Sequence, residues 1–499
     1  MDKLDWKKLL NTSRFKDKEK KDRSPDNEPD WVKEEHRTEI ERDFDRILFS
    51  TPTRRLADKT QVFPLDDNVS IRTRLTHSHE VANLARSIGT NLSHTFEPII
   101  SGIGETVTRD LPAILATIGL AHDIGNPPFG HQGEKAIGDW FRRKADEGIF
   151  FSPTDETGNH LGDNITEEEK NDFLEFEGNA QTLRVLTRLQ VVDHQYGLNL
   201  TYASLAALMK YTIPSYRVGQ NKSCAFKKFG FFHSERDIAQ EVFDCTGLSE
   251  GKRHPLAYIM EACDDTAYSI MDAEDTIKKG LVSFSDLIAF LENEVKGDDL
   301  TQWVIDKARK DHLSHRELSL SPAQLNDVSM QKFRVYAVHA VVVAVTDAFK
   351  SNYDDIMQGD FSNSLMKVSR AENLCGALKK FDVLHGYKNH GVLALELQGY
   401  NTIHGLMDML WRGISEREKY KDLNSKRTSP FSNYAFHKIS ENYRGVFSCN
   451  PPFETYGENL SIRYRELQLL TDMVSGMADG FAVNLYNDLS RFHVGVSAS

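Results

Sequence analysis

From Glu39 onward apolar residues recur at steps of three and four through most of the chain, whereas strict alternation is scarce and short. That periodicity predicts an all-α fold. One helix is expected from about Thr76 to Phe96, with His77, Val81, Leu84, Ile88 and Leu92 on a single face. A second is expected from about Asp110, which can cap it, with Pro112 early in the first turn and Leu111, Leu115, Ile118 and His122 aligned. A third is well delimited: Pro255 stands near its start, Lys278 and Lys279 lie in its last turn, and Gly280 can close it. Along it Asp264, Tyr268 and Asp272 fall on one face.

Polar stretches interrupt the pattern. Residues 1–38 mix Lys, Asp, Glu, Arg and Pro with few apolar anchors and read as a loosely ordered charged arm. Ser152 to Asn171 and Lys419 to Pro430 read as surface segments, and Thr212 to His233, with Pro214, Gly219, Gly230 and several aromatics, as a candidate short hairpin. The expected organisation is the arm, then a helical core over 39–285, then a helical C-terminal region over 286–499.

Composition narrows the class. With 499 residues, 39% hydrophobic and 27% charged, the chain can bury a sizeable core. No uninterrupted apolar run reaches the roughly 18 to 20 residues of a membrane span; the richest, Val335 to Val345, is broken by His339. The first residues lack the apolar stretch of a signal peptide, so the expectation is a cytoplasmic protein with no membrane partner. Five scattered cysteines with no Cys-x-x-Cys suggest neither a disulfide framework nor a thiolate zinc site, so any metal must use His and carboxylate. A net charge of −13 argues against a protein that coats nucleic acid, and an anionic ligand would need positive charge concentrated in its site.

The candidate chemistry centres on Ala121-His122-Asp123-Ile124-Gly125-Asn126-Pro127-Pro128-Phe129-Gly130-His131. An adjacent His-Asp pair stands at a helix end, with a further His just beyond a rigid turn. His77 and His122 both lie on inward stripes, and the face carrying Asp264 would bury a carboxylate, which is costly without a partner. Two imidazoles and two carboxylates form a site for a divalent metal ion, with magnesium or manganese expected first and iron, cobalt, nickel or zinc compatible. Such an ion can act as a Lewis acid and lower the pKa of a bound water. His131 and Glu134, three apart at the start of the next helix, share a face, so the carboxylate can orient the imidazole and raise its basicity.

The order His77, His122-Asp123, Asp264 is that of an HD-domain metal site, and the chain more particularly resembles the deoxyguanosine triphosphate triphosphohydrolase family. The resemblance runs from about Glu39 to about Asp488 through Arg54-Arg55-Leu56, Lys59-Thr60-Gln61-Val62-Phe63, Arg72-Thr73-Arg74-Leu75-Thr76-His77-Ser78 and the His122 to His131 block. It continues through Phe176-Glu177-Gly178-Asn179-Ala180-Gln181, Lys210-Tyr211-Thr212, Glu261-Ala262-Cys263-Asp264-Asp265, Leu395-Glu396-Leu397-Gln398-Gly399-Tyr400 and Ser475-Gly476-Met477.

The resemblance implies cleavage of dGTP, or another dNTP, between the 5′ oxygen and the α-phosphorus, giving deoxynucleoside and tripolyphosphate. It implies metal binding by His77, His122, Asp123 and Asp264, with His131 and Glu134 handling a proton. It places Arg74 and Lys210, and more weakly Arg54, on phosphates, Gln61 and Asp272 on the 3′ hydroxyl, and Tyr268 under the sugar with no room for a 2′ hydroxyl. Glu396 is implied at the guanine N1 and N2 donors, Val62 against the base, and Asn179 and Tyr211 elsewhere in the pocket. A homo-oligomer, commonly a hexamer, and a single-stranded DNA effector are also implied.

One departure stands out. The enteric branch brings an Arg to the base from just before Phe-His-Lys, but here Asn433-Tyr434-Ala435 precede Phe436-His437-Lys438 and the nearest Arg is Arg427. A broad-specificity dNTP triphosphohydrolase is therefore the first alternative. A cyclic-nucleotide or nucleic-acid-end phosphodiesterase is a second, and a non-catalytic deoxynucleotide or single-stranded DNA sensor is the non-enzyme reading.

Overall fold

Several helix starts are written into the sequence as capping boxes: Thr38 with Glu41, Thr73 with Thr76, Ser283 with Asp286 and Ser321 with Gln324. Each pair satisfies backbone N–H groups that a helix start leaves unpaired. The structure, a computed structural model, describes residues 3–17, 36–63, 71–190, 195–449 and 460–493. It is all-α, as the periodicity predicts, and no strand forms among the described residues.

The helices used below are, in chain order, α1 (Trp6–Leu9), α2 (Glu39–Leu48), α3 (Arg74–Thr95), α4 (Val107–Ala121), α5 (Gly130–Ala145), α6 (Pro255–Lys278), α7 (Pro322–Ser351), α8 (Glu372–Asp382), α9 (His390–Ser415), α10 (Ile462–Ser475) and α11 (Asp479–Phe492). Helices α3 and α4 pack along each other, α6 lies against both and against α7 and α8, and α9 packs on α5, α10 and α11. One continuous apolar cluster joins them, from Trp6 through Ile118, Ile259 and Phe333 to Leu410 and Leu489. By length and composition α7 is apolar enough to cross a bilayer, yet Met330, Phe333, Ala337, Val341 and Val345 are buried in this cluster.

Three sequence expectations are corrected. Helix α4 begins at Val107, three residues before Asp110, so Asp110 does not cap it but lies in its first turn, buried and with Oδ1 unpaired. The arm is ordered over residues 3–17: Leu4, Trp6, Leu9 and Phe15 are buried, Trp6 donates to the Tyr353 hydroxyl at 2.7 Å, and Arg14 pairs with the buried Asp43 at 2.6 Å. These anchors are too sparse in sequence for a periodic signal. The rest of the arm up to residue 35 lies outside the described residues.

The third correction concerns the candidate hairpin over Thr212 to His233. The segment makes only a lone parallel bridge, Pro214 with Phe231, plus short 3-10 turns at Ser215–Arg217 and Cys224–Phe226. Adjacent Phe231 and Phe232 are both buried in the helical body, whereas a hairpin projecting from it would leave one face of the strand in solvent. Its backbone donors form isolated turns and contacts, such as Gly230 N–H to the Ile213 carbonyl at 3.1 Å and Cys224 N–H to the Ser362 carbonyl at 2.9 Å, and no continuous ladder.

Candidate metal centre and adjoining cavity

Thr73 caps α3 and so fixes where its first turns point, sending Arg74 and His77 inward. Helix α4 carries the His-Asp pair at its end. The His122 Nδ1–H donates to the Gly119 carbonyl at 2.7 Å, which leaves Nε2 as the free lone pair. That nitrogen is buried without a hydrogen-bond partner and faces Asp123 Oδ1 and Asp264 Oδ1, each at 3.5 Å. Asp264, from α6, also lies 3.2 Å from His77 Nε2. Ligand atoms of His77, His122 and Asp123 fall within 4.8 Å of one another, and Asp264 closes the group from the opposite helix.

The electrostatics fit a cation. Burial disfavours charge on His122, but Asp123 and Asp264 outweigh it and hold its pKa up at about 9. Burial likewise opposes the Asp123 charge, yet His122, Arg74 and His77 bring it down to about 2. A lone pair aimed at two carboxylates is repulsive unless a proton or a metal lies between them. These four side chains therefore fit a divalent ion, and a metal would displace the His122 proton.

Supporting contacts hold the ligands. Arg74 donates to Asp123 Oδ2 and Asn126 Nδ2 to Asp123 Oδ1, both at 2.6 Å. Asn126 is itself fixed by the buried Lys59 ammonium, which reaches the Asn126 carbonyl at 2.6 Å and the Ser475 carbonyl at 2.8 Å. Burial, with Arg74 nearby, pulls Lys59 down to about 7. Lys210 lies between Asp264, at 3.5 Å, and Glu261, at 3.6 Å, and Arg253 locks Glu261 at 2.8 Å.

The turn after Asp123 delivers His131. Phe129 adopts a left-handed conformation with φ of 62°, and its N–H donates to Asp479 Oδ1 at 3.0 Å. Asp479, from the start of α11, also accepts from the Thr60 backbone and hydroxyl, so one carboxylate ties the Thr60–Phe63 loop to this turn. His131 Nδ1 meets Glu134 Oε2 at 2.9 Å, and Glu134 Oε1 accepts from the Gly178 N–H at 3.0 Å. A Cβ at Gly178 would stand 2.1 Å from Asn126 Oδ1 and 2.8 Å from Glu134 Oε1, so only glycine lets this backbone close on both. The Glu134 hydrogen bond raises the His131 pKa. Burial disfavours the Glu134 charge, but His131 and Lys228 outweigh it and lower that pKa.

All of this opens into one cavity of about 650 Å³, within the usual size for a small-molecule site. Of the residues singled out from sequence, Gln61, Val62, Arg74, His122, Asp123, His131, Glu134, Asn179, Lys210, Tyr211, Asp264, Tyr268 and Glu396 line it. His77 and Asp272 are buried and do not. Asn179 is held by Glu177, and Asp272 Oδ2 accepts from the Tyr387 hydroxyl at 2.7 Å. Arg54 is turned away, donating to the Phe49 carbonyl and the Thr51 hydroxyl. Arg427 is also outside, stacked 3.6 Å from the Phe436 ring.

Other cavity residues were missed from sequence. Lys228, paired with Glu177 at 2.6 Å, sits in the segment read as a hairpin, where its Lys-Lys dipeptide resembles any solvated pair. Tyr387 is delivered by a π-helical turn, Val383–Tyr387, at the end of α8. Such turns frequently mark functional positions, but no residue pattern announces one. Gln132, Lys227, Lys379 and Lys388 also line the cavity.

Comparison with known proteins agrees with this geometry. The model of a family described as HD domain matches residues 74–173. The deoxyguanosinetriphosphate triphosphohydrolase-like protein of Listeria monocytogenes is 34% identical over 463 residues, covering 91% of this chain and 94% of its own. The similarly named protein of Synechocystis is 32% identical, covering 91% and 95%. The deoxyguanosinetriphosphate triphosphohydrolase of Serratia proteamaculans is 32% identical over 488 residues, covering 90% and 93%. With that coverage on both sides and an HD domain carrying the His122-Asp123 pair, this chain belongs to the deoxyguanosinetriphosphate triphosphohydrolase family.

Proposed function

We propose that the protein is a metal-dependent triphosphohydrolase that cleaves deoxynucleoside triphosphates between the 5′ oxygen and the α-phosphorus, with dGTP preferred, releasing deoxynucleoside and tripolyphosphate. The observation that carries this reading is the shared cavity: the His77, His122, Asp123, Asp264 cluster, the His131–Glu134 pair and the cations Arg74, Lys210, Lys227 and Lys228 converge on it.

The bound ion, magnesium or manganese in this reading, supplies Lewis acidity and lowers the pKa of the attacking water. The chain's own residues do the rest. Arg74 and the lysines meet the anionic triphosphate, Arg74 while anchored on Asp123. His131, whose protonated form Glu134 favours, gives its proton to the departing 5′ oxygen. At the sugar, Gln61 lines the cavity and its Oε1 is an acceptor without a donor, which suits recognition of a 3′ hydroxyl, while Asp272, buried behind the lining, acts through the Tyr387 hydroxyl that it holds. Tyr268 lines the cavity, and packed under the sugar it would reject a 2′ hydroxyl sterically.

In this reading Val62 and Leu393, which line the cavity, would pack against the base, and Glu396 would be its carboxylate. A carboxylate accepts from the adjacent N1 and N2 donors of guanine, which no other common base presents. The distance of Arg427 from the cavity favours, as a second reading, the same reaction with looser base choice. The test is incubation with each of the four dNTPs and GTP, in magnesium and separately in manganese, with anion-exchange resolution of products. Tripolyphosphate and deoxyguanosine in excess are expected; equal release from all four selects the looser reading, and no tripolyphosphate in either metal overturns both.

A further inference from the structure

Glu396 is held by a neighbour on a different element. It rises from α9, half-buried, and its carboxyl pKa is raised by that burial. Gln132, next to His131 in the first turn of α5, places Nε2 3.4 Å from Glu396 Oε2, and both side chains line the cavity. The contact fixes how the amide is turned, since the carbonyl oxygen facing a carboxylate would be repulsive. One amide hydrogen is then used on Glu396, and the second is free for a ligand in the same cavity.

Guanine presents, in sequence along one edge, the N2 donor, the N1 donor and the O6 acceptor. A carboxylate satisfies the first two and leaves O6 needing a donor beside it. We propose that Gln132 is that donor: it bonds Glu396 with one amide hydrogen and the guanine O6 with the other, making a two-residue reader in place of an arginine. The inference rests on the guanine-selective reading of Glu396 given above. Adenine fails against such a pair twice, presenting an acceptor at N1 to the carboxylate and donors at the exocyclic amine to the amide. The Arg427 guanidinium, stacked on Phe436 outside the cavity, leaves this position to Gln132. Lys388, among the lysines that also line the cavity, serves as the control for a competing donor.

The test compares kcat/KM for dGTP, 6-thio-dGTP and dATP in the metal-loaded wild type and in Gln132→Met, Gln132→Ala, Lys388→Met and Glu396→Gln. The sulfur analogue keeps the N1 and N2 donors and chiefly weakens the acceptor at position 6. The wild type is expected to prefer dGTP to 6-thio-dGTP by about tenfold, the size of one good hydrogen bond. Gln132→Met should erase that preference by slowing dGTP alone, and Lys388→Met should keep it. Equal slowing of both nucleotides by both Gln132 variants would make Gln132 only a prop for Glu396 and overturn the proposal, as would loss of the preference in Lys388→Met. Failure of the underlying reading has its own signature: Glu396→Gln would leave the dGTP to dATP ratio unchanged. Unaltered melting temperatures separate all these outcomes from misfolding.

Discussion

A histidine is a better proton donor near neutral pH when a neighbour favours its charged form, and the Glu134 hydrogen bond shifts His131 in that direction. The buried Gly178 N–H holds the far oxygen of that carboxylate, so the pair is aimed as well as charged. His131→Ala should therefore lower kcat by about 10²- to 10⁴-fold, the usual contribution of general acid catalysis, while metal content stays at the wild-type level. Glu134→Gln removes the interaction that raises the His131 pKa. The alkaline limb of the pH–rate profile, where His131 loses its proton, should then move toward lower pH; an unmoved limb would assign it to another group. His254 shows the opposite device. Fully buried above Leu9, its Nδ1 accepts from the Leu256 N–H at 3.1 Å, and burial pulls its pKa down to about 3. The folded state thus binds fewer protons here than the unfolded chain. Stability from this group is complete above about pH 6.5 and drains away as the pH falls toward 3, by a few kcal/mol on the order of the linkage estimate. In urea titrations at pH 7.5 and 4.5, His254→Asn should lose less stability between the two than the wild type does.

At the scale of elements, the site is a meeting of helix ends. The start of α3, the end of α4 and the start of α5 carry charged or polar groups where backbone groups are free, while α6 contributes Asp264 from its middle and α9 contributes Glu396 from its second turn. Positions of such groups depend on how closely helices cross. At Gly399 of α9 a Cβ would stand 2.5 Å from the Phe129 ring, so the crossing with the entry to α5 exists because that residue has no side chain. Gly399→Ala should cost about 1 to 3 kcal/mol as an overpacked contact, read as a lower melting temperature. Because Glu396 stands one turn away on the same helix, it should also reduce the preference among dNTPs. Tyr387→Phe tests the π-helical turn at the end of α8. Removing its hydroxyl leaves the buried Asp272 Oδ2 without its donor, so KM should rise more than kcat falls if Asp272 acts on the sugar through that hydroxyl.

At the scale of the molecule, the two halves of the chain are closed on each other at the site. Asp479 fastens the Thr60 loop and the Phe129 turn, and the Ser475 carbonyl shares the Lys59 ammonium with Asn126. Helices α3, α4 and α6 also meet through His77, His122, Asp123 and Asp264, so an ion held there would serve the fold as well as the chemistry. Removing divalent ions with a chelator should abolish turnover and lower the melting temperature, with both restored by manganese or magnesium; an unchanged melting temperature would mean that His122, Asp123 and Asp264 are satisfied by protons alone.

The sequence by itself determined the all-α class, the inward stripe carrying His77, the His122-Asp123 end of α4, the Asp264 face of α6 and the His131–Glu134 pairing. All of these are local: helical period and spacing set which side chains share a face, whatever surrounds the helix. Helix starts were legible only approximately: the sequence places them at about Thr76 and at Asp110, whereas Thr73 caps α3 and α4 begins at Val107, because nothing in the preceding segments announced the extra turn. Tertiary structure decided the rest. Whether Arg74 and Lys210 face ligands or solvent, which helix brings Glu396 beside Gln132, and that Lys228 and Tyr387 enter the cavity at all depend on contacts between residues far apart in the chain. The first residues became part of the core for the same reason: Trp6 and Phe15 are too few to form a pattern, but a folded body offers each a place to be buried.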